Sequence, residues 1–231
     1  MKSRLVVLAA FALAIAACRD RTPPAPTLER SGTVLTSPEP AAGGVLHGKT
    51  LAILATDGFE QVELVKTQKM FADKGAKTVV VAPKAGTIQG FHQLQPGDKV
   101  TVDMSLDHAD PNSFDGLVLP GGVANPDKLR LDPRALRFVR TFAESNRVVA
   151  AICHAPWLLI EAGLVRDRTL TSWPSLKTDL LNAGAVWVDR DVQYDRGIVT
   201  SRKPEDIDAF VRKTTEELLE PEHQAGKHAL R

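Results

Sequence analysis

The chain has 231 residues, with 29 Lys and Arg against 28 Asp and Glu and a formal net charge of +1. Without Lys2 and Arg4 the balance is 27 basic to 28 acidic residues, which lacks the basic excess of a nucleic-acid binder. The length fits one domain of ordinary size with an extension. Its six His and two Cys fall without the spacing of a zinc site.

In chain order, Lys2 and Arg4 form a short positive start, and Leu5 to Ala14 is almost wholly apolar. This is the pattern of a secretory signal, too short for a mature membrane span. Ile15-Ala16-Ala17-Cys18 resembles a bacterial lipobox, which implies that Cys18 is acylated and becomes the new N-terminus. A multiply acylated terminus would anchor stably. Residues 19 to about 44 are rich in Pro, Thr, Ser, Gly and Ala and read as a tether that buries no core. Its roughly 26 residues would reach about 85 Å at full stretch. The expected divisions are a lipoprotein signal at 1–17, a tether at 18–46, a folded domain at 47–221 and a tail at 222–231. The expected location is the bacterial cell envelope, lipid-anchored on the periplasmic face. Arg19, rather than Asp, after the cysteine favours the outer membrane.

From Lys49 the apolar periods alternate. Thr50–Ala55 reads as a buried strand, Glu60–Lys74 as a helix with Val62, Leu64, Val65, Met70 and Phe71, and Thr78–Ala82 as a second strand. Leu117–Pro120 is a third strand, running into Gly121-Gly122. Pro133–Ser145 is a helix with one broad apolar face, and Val148–Ile152 a fourth strand. A helix over Ser175–Ala183, short strands within 185–200 and an amphipathic helix over Pro204–Leu219 complete the chain. Short apolar strands alternating with helices predict an α/β fold with a mostly parallel sheet covered on both faces. Sites in such sheets lie beyond the carboxyl ends of the strands. The segments Thr56–Glu60, Gly121-Gly122 and Cys153-His154 all fall there.

Cys153 ends an apolar β-branched run and precedes the helix-like Trp157–Ala162. A thiol at a strand-to-helix turn, with the small residues Ala151 and Ala155 two before and two after, has the layout of a nucleophile elbow. The alternative is a buried structural cysteine. If Cys18 carries lipid, Cys153 is the only thiol of the mature domain, in an oxidising compartment. Backbone N–H groups at a helix start favour a thiolate, so Cys153 is expected to be ionised near neutral pH. Glu60 is placed either to suit the start of the first helix or to hydrogen-bond Cys153. Gly121-Gly122 is either a plain turn or a place where backbone N–H groups approach a substrate oxygen. It is not a dinucleotide loop. His154 is either a base or a pocket wall. Asn125 or Asp127 would serve as a helix N-cap.

Asp57-Gly58-Phe59-Glu60-Gln61-Val62-Glu63-Leu64, Leu119-Pro120-Gly121-Gly122, Ala151-Ile152-Cys153-His154-Ala155-Pro156 and Gly163-Leu164-Val165 resemble the ThiJ/PfpI superfamily, specifically its PfpI branch. So do Thr171–Lys177, Asn182–Ala185 and Thr200–Pro204. The resemblance runs from about residue 48 to 220. It implies a flavodoxin-like three-layer sandwich, no cofactor and a homo-oligomer. It also implies that Cys153 is the nucleophile, that Glu60 contacts its sulfur, and that His154 pairs with an acid from another subunit, matched here by Asp127. The loop holding Asp127 is one residue longer than the family's, and Asp replaces Glu. Gly122 and the N–H of His154 match an oxyanion hole, while His92 and Gly121 belong to the pocket. The secretory start departs from a mostly cytosolic family.

Members of that family are called cysteine peptidases, protein deglycases and glyoxalases. The expected function is therefore thiolate attack on a reactive carbonyl, free or as an adduct on protein. Peptide hydrolysis asks more, because the leaving group must be protonated. A glutamine amidotransferase would need a His-x-Glu pair after Cys153, which is absent. A non-enzymatic thiol sensor is the remaining alternative.

Overall fold

The computed structural model describes residues 32–221. Cys18, the leader, residues 19–31 of the tether and the tail from 222 onward lie outside the described residues. No helix among the described residues is long and apolar enough to cross a membrane.

The chain runs through β1 (Val34–Leu35), β2 (Thr50–Leu54), β3 (Phe59–Glu60), α1 (Gln61–Asp73), β4 (Lys77–Ala82), the hairpin β5 (Gly86–His92) and β6 (Gln95–Val102), and β7 (Met104–Ser105). It continues through β8 (Gly116–Leu119), α2 (Ala124–Leu129), α3 (Pro133–Glu144), β9 (Val148–Ile152) and α4 (Pro156–Glu161). β10 (Thr169–Leu170), α5 (Lys177–Asn182), β11 (Val186–Trp187), β12 (Val192–Asp195), β13 (Ile198–Ser201) and α6 (Ile207–Leu219) complete it.

Seven strands form the central sheet in the order β12-β13-β9-β8-β2-β4-β7. Every neighbouring pair is parallel except β12 and β13. Apolar residues on both faces of the strands explain this choice, because a parallel sheet must be covered twice. Ala52, Leu54, Val79, Val81, Val149 and Ala151 pack into one core with α3, α4 and α5. Leu51, Ile53, Val80, Val148, Ala150 and Ile152 pack into the other with α1 and α6. The result is an α/β sandwich of three layers, as expected. α3 starts where its sequence directs. The Asp132 side chain accepts the Arg134 N–H at 2.9 Å and Pro133 takes the first helical position, a capped start in which proline loses no bond.

β9, β8 and β2 are adjacent, so the loops after Leu54, Leu119 and Ile152 meet at one edge of the sheet. The order also reverses here, with β4 on one side of β2 and β8 on the other. Such a switch point opens a crevice.

Two features depart from the sequence reading. The hairpin β5–β6 forms a second sheet, ordered β1-β6-β5-β3, where no apolar period announced it. In addition, residues 32–46 are not free tether. Val34 and Leu35 pair in parallel with Lys99 and Val100. Ser37 Oγ donates to Asp103 at 2.5 Å, and the Ala41 and Leu46 amides donate to Ala72 and Lys74. Leu46 is fully buried. A segment poor in apolar residues cannot build a core, but it can dock on one by backbone bonds and a single anchoring side chain.

Candidate active site

Cys153 is the first residue past β9, with φ of +63°. A non-glycine side chain there is strained by about 1–3 kcal/mol and persists only when its surroundings hold it. They do: the Cys153 N–H donates to Ser201 O at 3.0 Å, and its carbonyl accepts the Trp173 N–H at 2.9 Å. Pro156 then opens α4. The elbow read from the sequence is therefore present. Cys153 is 5% exposed and lines a cleft of about 800 Å³.

The carboxyl group at the thiol is Glu63, which corrects the assignment of Glu60. Glu60 closes β3, lines the cleft, and accepts the Gln93 N–H at 2.9 Å. Glu63, in the first turn of α1, is fully buried. Its Oε2 accepts the Gly121 N–H at 2.7 Å, and the carboxyl sits close enough to the Cys153 thiol for the two to shift each other's titration. Oε1 makes no hydrogen bond among the described residues. Burial raises the Glu63 pKa to about 8, against the pull of Gly121 and Cys153, so the group holds a proton at neutral pH. The first turn offered two acids, and counting only apolar positions hid the buried line Glu63, Leu64, Thr67, Gln68 and Phe71.

The expected standing thiolate is also corrected. Burial pushes the Cys153 thiol up, and a charged Glu63 pushes it further, while the nearby N–H groups of Gly122 and His154 pull it down. The Glu63 repulsion vanishes while that group is protonated. The His154 Nδ1 lies 3.1 Å from Sγ, and burial lowers the pKa of this imidazole, so it is neutral at pH 7 and has a ring nitrogen free to accept a proton. Its ring stacks on Trp173, with centroids 5.7 Å apart, and meets the edge of Trp157 at 5.4 Å. No carboxylate among the described residues bonds it.

Gly121 and Gly122 do more than turn the chain. Gly121 donates to Glu63, and the N–H of Gly122, at φ +83°, favours the charged form of the Cys153 sulfur. A side chain at Gly122 would strike the Gly58 carbonyl and the Glu60 amide. His92, at the hairpin end of β5, lines the cleft as expected. Asp127 is exposed on α2 and makes no bond to His154 of its own chain. Neither Asn125 nor Asp127 caps that helix, because the cap position is Val123 with no side-chain bond. Trp173, Lys203 and Glu205 also line the cleft. Lys203 belongs to the Thr200–Pro204 motif and Glu205 to the single 3-10 turn Pro204–Asp206, and the sequence reading gave neither a role.

Residues 49–217 match the model of the DJ-1/PfpI family. The chain belongs to the DJ-1/PfpI family. A deglycase of Pyrococcus abyssi (strain GE5 / Orsay) is 40% identical over 161 residues, spanning 70% of this chain and 94% of that protein. YraA of Bacillus subtilis (strain 168), provisionally named a cysteine protease, is 38% identical over 167 residues, spanning 72% and 96%. Among solved structures, Drosophila melanogaster DJ-1beta superposes with a TM-score of 0.67 at 27% identity, covering 79% of this chain and 97% of that one. The DJ-1/PfpI match begins at residue 49, so the docked segment 32–46 lies outside it.

Proposed function

We propose that this DJ-1/PfpI protein is a cofactor-independent enzyme that attacks reactive carbonyls through Cys153, as a glyoxalase or protein deglycase. The observation that carries this reading is the strained Cys153 set between a protonated Glu63, the neutral His154 ring and two inward N–H groups. As sulfur bonds to the carbonyl carbon, His154 takes the thiol proton. The N–H groups of Gly122 and His154 receive the developing oxyanion, and Glu63 supplies its proton to give a neutral hemithioacetal. For a free dicarbonyl, the Glu63 carboxylate then removes the C–H proton, and reprotonation at the neighbouring carbon leaves a 2-hydroxy thioester. Water hydrolyses the thioester to a 2-hydroxy acid and regenerates the thiol. A cleft of about 800 Å³ exceeds what a three-carbon dicarbonyl fills, which favours an adduct carried on a larger molecule. The relative named a deglycase agrees with this reading.

The test is an assay of the protein against methylglyoxal, a methylglyoxal-modified peptide and a fluorogenic peptide, with Cys153→Ala as control. Conversion of the first two, lost in the variant, supports the reading. Cleavage of the fluorogenic peptide alone would replace it with peptidase activity.

Two further parts belong to this proposal. The active unit is a homo-oligomer in which Asp127 reaches His154 of a neighbouring subunit. Val123 and Leu131, 52% and 80% exposed, flank Asp127 at steps of four and offer an apolar surface for that contact. The protein is also held at the bacterial envelope through acylated Cys18. Radiolabelled fatty acid should enter the wild type but not Cys18→Ala, and equal labelling would sink that part.

A further inference from the structure

Two peptide groups after β8 serve the site. The N–H of the Pro120–Gly121 peptide donates to Glu63 at 2.7 Å, and the Gly121–Gly122 peptide lies against Cys153, with its N–H favouring the charged sulfur. A trans peptide points its carbonyl opposite to its N–H, so whatever grips the two carbonyls aims the two donors. One side chain grips both. Asn125 Nδ2 donates to Pro120 O at 2.8 Å and to Gly121 O at 3.2 Å. Its Oδ1 accepts the Thr56 N–H at 2.8 Å, tying this turn to the loop after β2. Asn125 is 1% exposed, so water cannot take over its bonds; without it Gly121 O keeps only the Glu60 N–H at 3.3 Å, while the Pro120 carbonyl loses the bond that Asn125 supplies, and a buried carbonyl left underpaired is unfavourable. The amide has the inventory this task requires, two donors on one end and an acceptor on the other.

We infer that Asn125 is the positioning residue of the nucleophile site, holding the Pro120–Gly121 and Gly121–Gly122 peptides so that their N–H groups meet Glu63 and Cys153. It touches neither sulfur nor substrate and acts through the backbone. The inference rests on Cys153 being the nucleophile, as proposed above.

The experiment follows alkylation of Cys153 by iodoacetamide in the folded protein as a function of pH, read by intact mass. It needs no substrate. Asn125→Ala should shift the alkylation midpoint to higher pH. The rate at pH 7 should fall about tenfold, the scale of one lost hydrogen bond to a charged group. The limiting rate at high pH should be kept. Phe142→Leu, a core change on the far side of the sheet, should lower the melting temperature without moving the profile. If Asn125→Ala folds poorly, Asn125→Ser, whose hydroxyl can reach only part of the network, should give an intermediate shift. A folded Asn125 variant with the wild-type profile would overturn the inference. A wild-type thiol inert until denatured is a different result, which removes the nucleophile and this inference with it.

Discussion

Glu63 and Cys153 lie together at the base of the cleft, where the carboxyl acts on the thiol, and Glu63 is anchored to the Gly121 amide at 2.7 Å. Glu63 comes from the first turn of α1 and Cys153 from the elbow after β9. In the proposed reaction, the turn whose Gly122 N–H would receive the oxyanion also holds Glu63 through the Gly121 N–H.

This pairing separates two neighbouring acids by function. Glu63→Gln should lower kcat/KM for the carbonyl substrate by about 10²–10⁴, the usual worth of a positioned acid-base group. Glu60→Gln removes only a rim bond to Gln93 and should cost no more than about tenfold, well below the acid-base range. Steady-state kinetics on the two variants checks it, and the reverse ranking would restore Glu60.

Stability should carry the signature of Glu63. Its pKa rises from 4.5 to about 8 on folding, so between those values the folded state holds a proton that the unfolded chain has released. Stability from this group is complete below about pH 4.5 and is lost as pH rises towards 8. Urea denaturation across that window should show a declining midpoint in the wild type and a flatter one in Glu63→Gln.

Leu46 tests whether the extension is docked. Leu46→Ala should destabilise the protein by about 2–5 kcal/mol, as for a buried leucine elsewhere. A free tether would lose nothing. Equilibrium unfolding decides between them.

Mixing tests the shared site. Cys153→Ala and Asp127→Ala should each be inactive, and their mixed oligomers should regain activity, because one junction then holds an intact Cys153 and an intact Asp127. No recovery despite proven subunit exchange would place Asp127 outside a trans site.

By itself, the sequence determined what local pattern and chain order can determine. Apolar runs such as Val148–Ile152 can be buried only as strands covered on both faces, and their alternation with helices implies a parallel sheet whose carboxyl edge gathers Gly58, Gly122 and Cys153. The elbow was equally legible, because a thiol ending such a run between small residues is a local arrangement. Three matters were decided only by the tertiary structure. Glu60 and Glu63 are both acids at the start of α1, and only packing of that helix against the sheet turns Glu63 inward and Glu60 to the rim. Residues 32–46 carry too little apolar surface to announce burial, yet β6 supplies a backbone edge and the domain a place for Leu46. Asn125 has the local chemistry of a cap, but its partners Thr56, Pro120 and Gly121 come together only when β2 and β8 lie side by side. Hydrogen bonds between residues distant in the chain leave no period in the sequence, so the site's outline was readable and its wiring was not.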